Sequence, residues 1–239
     1  MKPWKQKSWC LRKLDSEYIG RMEDLLDLYS QPYNLRRPVV CVDEFSLELH
    51  DEKVEPIPHS PGKIKKHDYE YVRKGVCSVF VIVEPLAGKR WAVVSGKRGK
   101  AEFAEVLRRI LEDWYPKDSV DSVALVMDNL NTHRTSTLYD FLEASRAREN
   151  IRRVDVHYTP VHGSWLNMAE IEIGALMTQS LRRRIKSREM LSEELAACVA
   201  LRNEEKRTIT WEFTVDKARV KMANHYPKVS SEYLPIDFI

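Results

Sequence analysis

Two stretches of this chain are apolar without interruption, and each is closed by an aspartate. Val39-Val40-Cys41-Val42 ends at Asp43, and Val123-Ala124-Leu125-Val126-Met127 ends at Asp128. A short apolar run with no polar alternation belongs to a strand covered on both sides. In open α/β sheets, ligands gather beyond the carboxyl ends of such strands. The two runs therefore call for a sheet with helices above and below. If the strands are neighbours, their two carboxylates meet.

The rest of the pattern supplies those helices. Residues 15–29 place Ile19, Met22, Leu25, Leu26 and Tyr29 on one helical face. Gln31-Pro32 and Arg37-Pro38 then break the chain before the first strand. Residues 51–70, polar and rich in Pro and Lys, read as a long loop. Residues 74–84 and 89–95 read as a strand pair joined by Pro85-Leu86-Ala87-Gly88. Residues 101–114 form an amphipathic helix with Phe103, Val106, Leu107, Ile110 and Leu111 on one side. Residues 122–127 are the second buried strand and 137–147 a helix. Residues 151–158 are an alternating strand, and 166–181 and 192–205 are helices. A hairpin followed by alternating helices and strands implies an α/β fold, a mixed sheet flanked by helices on both faces.

A chain of 239 residues can bury a substantial core as one large domain or two small ones. No apolar run approaches a membrane span, and the basic N-terminus has no apolar segment that would make it a secretory signal. Cys10, Cys41, Cys77 and Cys198 form no Cys-x-x-Cys pair, and Cys41 and Cys77 fall inside expected strands. They read as reduced thiols of a cytoplasmic protein with no membrane partner. The formal charge is only +3, but it is clustered. Lys63, Lys65 and Lys66 are close together, as are Lys97, Arg98 and Lys100. Arg182, Arg183, Arg184, Lys186 and Arg188 form the densest group. One such run alone is as consistent with a solvated face as with a binding surface. Three of them flanking the acids are better explained by DNA or RNA.

A third acid joins the two aspartates. Glu170 shares a helical face with Leu166, Ala169, Ile173, Met177, Ser180 and Leu181, while Glu172 turns the other way, toward solvent. A carboxylate on an apolar stripe needs an arginine or a metal as partner. Asp43 or Asp128 alone reads as turn or cap chemistry. Together with Glu170 they supply oxygen ligands for a hard cation such as Mg²⁺. Two ions some ~3.5–4 Å apart suit phosphodiester chemistry. Asp43 is expected to bridge them, with Asp128 and Glu170 each holding one. Asn129, Asn131 and His133 follow Asp128; His162, Ser164, Trp165 and Asn167 precede Glu170. Of these, Asn129, Asn131, His133 and His162 are the candidate supporting residues, with loop and cap chemistry as the alternative.

Other signals are weaker. Residues 95–101 have glycine spacing too short for a phosphate loop, and Ala101 stands where Ser or Thr is needed. His157 and His162 lack the cysteines of a structural zinc site. Ser164 lacks a nucleophile elbow. Trp91, Trp114 and Trp211 read as packing residues.

The segments CVDE, MDNLNTH and HYTPVHGSWLNMAEIEIG closely resemble the three acidic motifs of bacterial insertion-sequence transposases in the mariner-like superfamily, and most nearly the insertion-sequence 630 family. WEFTVDKARVKMANHYP is similar to that family's C-terminal ending, so the resemblance covers residues 15–227. It implies an RNase H-like fold, dependence on Mg²⁺ or Mn²⁺, and cut-and-paste DNA transposition, usually into TA. The catalytic and metal-holding triad carries over to Asp43, Asp128 and Glu170. The interval between Asp128 and Glu170 holds 41 residues, longer than the thirties usual in the superfamily; the excess is expected around SRARENIRR. Family members usually begin with helix-turn-helix modules, whereas residues 1–38 precede the first core strand here. The chain is therefore expected to be the catalytic part, its recognition module truncated or separately encoded. The expected organisation is a basic segment and helix at 1–38, an RNase H-like core at 39–190, and a helix and tail at 191–239 packed on the core. Element ends and target DNA are the implied partners, met by a homodimer, with the basic clusters on the DNA backbone. Two rivals remain: a nuclease or resolvase on the same fold, and a non-catalytic DNA-binding regulator.

Overall fold

The structure is a computed structural model that describes residues 14–64, 66, 68–130 and 133–227. Lys65, Asn131 and Cys10 lie outside the described residues. Five strands form one sheet: β1 (Val39–Glu52), β2 (Tyr71–Glu84), β3 (Lys89–Ser95), β4 (Val123–Met127) and β5 (Val154–Tyr158), in the order β3-β2-β1-β4-β5. β1, β2 and β3 pair antiparallel, and β4 lies parallel to both β1 and β5. The helices are α1 (Ser16–Ser30), α2 (Lys100–Arg108), α3 (Leu138–Phe141), α4 (Ala144–Arg152), α5 (Met168–Gln179), α6 (Arg188–Glu204) and α7 (Val215–Lys221). This is the mixed α/β sheet that the pattern implies.

Strand alternation divides the core between the two faces. Val40, Val42, Phe80, Ile82, Val123, Leu125 and Met127 pack against Phe103, Leu107, Ile110 and Leu111. Cys41, Val83, Ala124 and Val126 turn the other way, onto Met22, Leu25 and Leu26 of α1 and Ala169 of α5. Further along that face, Val79 and Val81 meet Leu176 of α5 and Leu191 and Leu195 of α6. Cys41 and Cys77 are free and buried. Trp91 stacks on Trp114 at 4.6 Å, and Trp211 packs on Tyr29 at 5.4 Å, as packing residues do. Among the described residues, no helix is long and apolar enough to cross a membrane.

Several boundaries differ from the sequence reading, each for a local reason. β1 does not stop at Val42. Phe45, Leu47 and Leu49 alternate with polar residues, and the strand stays paired with β2 as far as Glu52↔Tyr71. The helix expected over 101–114 changes winding after Arg108 and becomes a π-helical turn, Arg109–Trp114, closed by Tyr115 N–H on Ile110 O at 2.9 Å. The helix expected over 137–147 is a 3₁₀ turn, α3 and α4. Glu143 restarts it by accepting from the backbone N–H groups of Ser145 (3.2 Å) and Arg146 (3.4 Å). Because α4 runs to Arg152, β5 begins at Val154. Ser187 caps α6 ahead of its expected start, with its Oγ 3.2 Å from Met190 N. α7, not expected, is held to α1 by Arg219 on Glu23, at 2.9 and 2.7 Å. Gly88 closes the β2–β3 turn at φ 64°, where an added Cβ would lie 2.7 Å from the Lys206 backbone.

The largest departure concerns α5. Glu170 is exposed and Glu172 is buried, the reverse of the stripe read from spacing. The buried face is Met168, Ala169, Glu172 and Leu176. Glu172 takes two hydrogen bonds from Arg202 of α6, at 2.7 and 2.8 Å, and lies 3.2 Å from Arg90 Nε of β3. Arg90, itself fully buried, donates to the carbonyls of Gly88 (3.1 Å), Arg202 (2.5 Å) and Arg207. The arginine-paired buried acid therefore exists, two residues beyond the one expected to need a partner. Removing one member of such a network leaves uncompensated buried charge. Glu172→Ala should lower stability by about 3–5 kcal/mol in urea unfolding, whereas Glu170→Ala, at an exposed position, should stay within about 0.5 kcal/mol of the parent.

Candidate active site

The parallel pairing of β1 with β4 is short: Val39↔Ala124, Val40↔Leu125 and Cys41↔Val126. Carried two residues further, that register sets Asp43 level with Asp128. β4 ends at Met127, while β1 runs on beside β2 alone. Asp43 is therefore inside its strand, not at its end, yet it still stands at the mouth where the parallel pair stops.

α5 brings the third acid. Asn167, its buried N-cap, donates Nδ2 to Val42 O at 2.9 Å and to Asp43 Oδ2 at 3.2 Å. Its Oδ1 accepts from Ala169 N at 3.1 Å. One amide thus fastens the start of α5 to β1, and Glu170 sits in the first turn beyond it. Glu170 is exposed, so it enters this group from the surface side.

Asp43 registers the convergence. Burial first, then the charges of Glu170, Asp128 and Glu44, push its carboxyl up to about 7; the Glu44 N–H at 2.8 Å works in the opposite direction. Asp128 is held by His133, whose Nδ1 bonds to its Oδ1. His133 is buried and stacked on Phe103 with ring centroids 4.5 Å apart. Its Nε2 lies 2.9 Å from Glu44 Oε2, an ion pair off the hydrogen-bond axis. Burial opposes charge on the ring, but the contacts with Asp128 and Glu44 outweigh it and carry the imidazole to about 9.

The other expected residues are more scattered. Asn129 is exposed, and its side-chain amide lies against Arg21 Nη1 and Nη2 of α1 at 3.2 and 3.3 Å, where an amide oxygen can accept from them. His162 is exposed at φ 64° in the turn that Gly163 N closes on Pro160 O at 2.8 Å. No hydrogen bond joins His162 to the acids among the described residues. Lys63, Lys66, Lys97, Arg98, Lys100, Arg182, Arg183 and Lys186 are exposed. Arg98 Nη1 lies 3.9 Å from Glu44 Oε1, which brings its cluster to the rim of the acids. Arg183 pairs with Glu194. Arg184 is not a free surface cation. It pairs with Glu52, donates to the carbonyls of Asp68 (2.6 Å), Tyr69 (3.1 Å) and Glu70 (3.1 Å), and lies over the Tyr71 ring. It ties down the 53–70 loop rather than facing solvent.

Sequence reasoning passed over Glu44, Arg21 and the anchoring role of Asn167. Strand alternation could have signalled Glu44, since the neighbour of an acid on one face of a strand faces the other side. The donor set is all carboxylate oxygen, with crowded negative charge that a divalent cation would relieve, so these residues fit a hard metal ion. Among the described residues, no three His, Cys, Asp or Glu side chains are already gathered around one point. Asp128 leans on His133 and Glu170 stands open, so cation binding would draw the acids together.

The sequence pattern of the DDE superfamily endonucleases matches residues 38–192, which takes in all three acids. No curated protein sequence matches the chain. Solved structures share its fold. A Mos1 mariner paired-end complex with Mn superposes at a TM-score of 0.59 with 16% identity, covering 96% of this chain and 67% of that one. A Mos1 transposase paired-end complex with the left transposon end gives 0.62 at 16%, covering 92% and 66%. The Mos1 strand transfer complex gives 0.53 at 17%, covering 84% and 60%. The fold is RNase H-like, as these transposases have it, and the chain spans about two thirds of the length of the first two Mos1 chains.

The raised carboxyl of Asp43 has a consequence for stability. A group whose pKa rises on folding stabilises the fold while protonated, and that stability is lost as pH climbs through its folded value. Without divalent cations, Asp43→Asn should therefore outlast the parent above about pH 7 by roughly 2–4 kcal/mol, and show little advantage near pH 4. Thermal melts in EDTA across that range provide the check.

Proposed function

The chain belongs to the DDE superfamily endonucleases, and from that membership we propose that it is the catalytic domain of a DNA transposase of the insertion-sequence 630 type. The reaction is hydrolysis of a phosphodiester at the element end, followed by attack of the released 3′-hydroxyl on target DNA, at TA. The observation that carries this reading is the register that levels Asp43 with Asp128, joined to the Asn167 tether that delivers Glu170 to the same mouth. Mos1 has been solved in paired-end and strand-transfer complexes, which supports the same two steps.

Asp43, Asp128 and Glu170 would hold two Mg²⁺ or Mn²⁺ ions. When bound, such ions activate the attacking oxygen and stabilise the leaving one in an in-line displacement. The chain's own residues prepare that site. Asn167 fixes the Asp43 Oδ2 side by hydrogen bonding. Asp43, with its carboxyl near 7, is ionised increasingly above neutrality, so protons compete with cations below it. The exposed cations Lys63, Lys66, Lys97, Arg98, Lys100, Arg182 and Lys186 form the DNA-facing set. Arg183 and Arg184 are left out because Glu194 and Glu52 already pair with their guanidinium groups. Residues 39–190 are the proposed core, with 1–38 and 191–239 as flanking segments. The proposed assembly is a homodimer at work on nucleoid DNA.

The test is strand cleavage of duplex DNA carrying the boundaries of the element that encodes the chain, in Mg²⁺. The parent should produce nicked ends and joined strand-transfer products. Asp128→Asn should abolish both while leaving binding in EDTA intact; cleavage that survives this change sinks the assignment. Cleavage without joined products would favour a plain nuclease. Arg182→Ala with Lys186→Ala should weaken binding to every sequence alike and lower the salt slope by about 1 for each cation removed, read by binding titrations at several salt concentrations.

A further inference from the structure

Glu44 has no place in the three-acid scheme, yet its environment is built. It follows Asp43 directly, and its side chain points to the opposite face of β1, where it is almost fully buried. There it meets His133 Nε2 at 2.9 Å. The other ring nitrogen of His133 bonds to Asp128 Oδ1. The ring between them is buried and stacked on Phe103. Glu44, His133 and Asp128 therefore form one chain of contacts that starts on β1 and ends on the second acid, after β4. Only Oδ1 of Asp128 is engaged by the ring; Oδ2 is not part of the chain.

We propose that Glu44 and His133 are positioning residues. Glu44 and Phe103 fix the His133 ring, and the ring fixes the rotamer of Asp128 so that its second oxygen faces the position a divalent cation takes beside Asp43. Carboxylates that hold a metal are themselves held by hydrogen-bonded partners, and losing such a partner weakens metal affinity by about 10–100-fold. The alternative is competition, in which His133 occupies Asp128 and a cation must displace it. The two differ in sign. Removing a positioning ring weakens cation binding; removing a competing ring strengthens it.

This proposal rests on the metal-site reading above, and its test separates the two. Mn²⁺ affinity of the full chain, without DNA, is measured by the electron paramagnetic resonance of free Mn²⁺. The proteins compared are the parent, Glu44→Gln, His133→Asn, the double variant and Asp43→Asn, with melting curves in EDTA confirming that each is folded. Glu44→Gln should weaken Mn²⁺ binding about tenfold. In the His133→Asn background it should have no further effect, because Glu44 acts through the ring. A simple loss of negative charge at Glu44 would act equally in both backgrounds, and that additive result overturns the proposal. So does tighter or unchanged Mn²⁺ binding in Glu44→Gln or His133→Asn. If His133→Asn does not fold, His133→Gln takes its place in the same comparison, with the same requirement that the effect of Glu44→Gln vanish in its background. Asp43→Asn settles the underlying reading. If it binds Mn²⁺ like the parent, the metal site itself is misplaced; if it loses Mn²⁺ while Glu44→Gln keeps it, only the positioning proposal fails.

Discussion

Three residues of β1 pair in parallel with β4, and the site follows from where that ladder stops. Both strands are covered on both faces up to Val42 and Met127, so nothing polar fits among them. One residue later the parallel pair has ended, the apolar cover thins, and two aspartates emerge at the same level. Because β1 continues beside β2 to Glu52, the backbone beneath Asp43 is still held by an antiparallel partner, Val81. The first acid thus sits on a strand anchored on both sides of it in sequence, while the second sits on the loop just beyond β4. Each acid is then met by one side chain, Asp128 by the His133 ring and Asp43 by the Asn167 amide.

Charge is handled in two contrasting ways within one turn of α5. Glu172 points into the protein and meets two arginines from different elements, so its cost of desolvation is offset by hydrogen-bonded partners. Glu170 points to the surface side and is kept among other acids. Neither arrangement is a local property of the helix. Asn167 sets how α5 begins, and the buried ion network sets which way it is turned, so the direction of Glu170 is a by-product of both. Repulsion among Asp43, Glu44, Asp128 and Glu170 is tolerated because the surrounding sheet is held by a large apolar core on each face.

Much of the sheet could be read from residue pattern alone. The uninterrupted runs at 39–42 and 123–127 and the Pro85–Gly88 turn each locate a strand or its connection, and the acid that follows each run is where chemistry collects. What the pattern could not give were features decided by partners distant in sequence. Glu170 and Glu172 both lie within reach of an apolar stripe on a helical wheel; only the positions of Arg90 and Arg202 decide which is buried. Arg184 belongs to a dense basic run and is indistinguishable there from Arg182, but Glu52 and the 68–70 carbonyls claim it. The extent of β1 was visible in the alternation of Phe45, Leu47 and Leu49, and was obscured by the stronger contrast of the apolar run before it. The break between α3 and α4 depends on Glu143 folding back onto two amides, which no periodicity records.

Arg202 lies outside the segment 38–192 that carries the family pattern, yet its guanidinium sits on Glu172 inside it. The unit that bears the pattern is therefore not the self-sufficient one. A fragment cut at the edge of the homologous region would retain every acid of the site and still leave Glu172 in its interior with Arg90 alone. The practical boundary for excising, grafting or fusing this module runs past the C-terminal end of α6, at least through Arg207, whose carbonyl also receives Arg90.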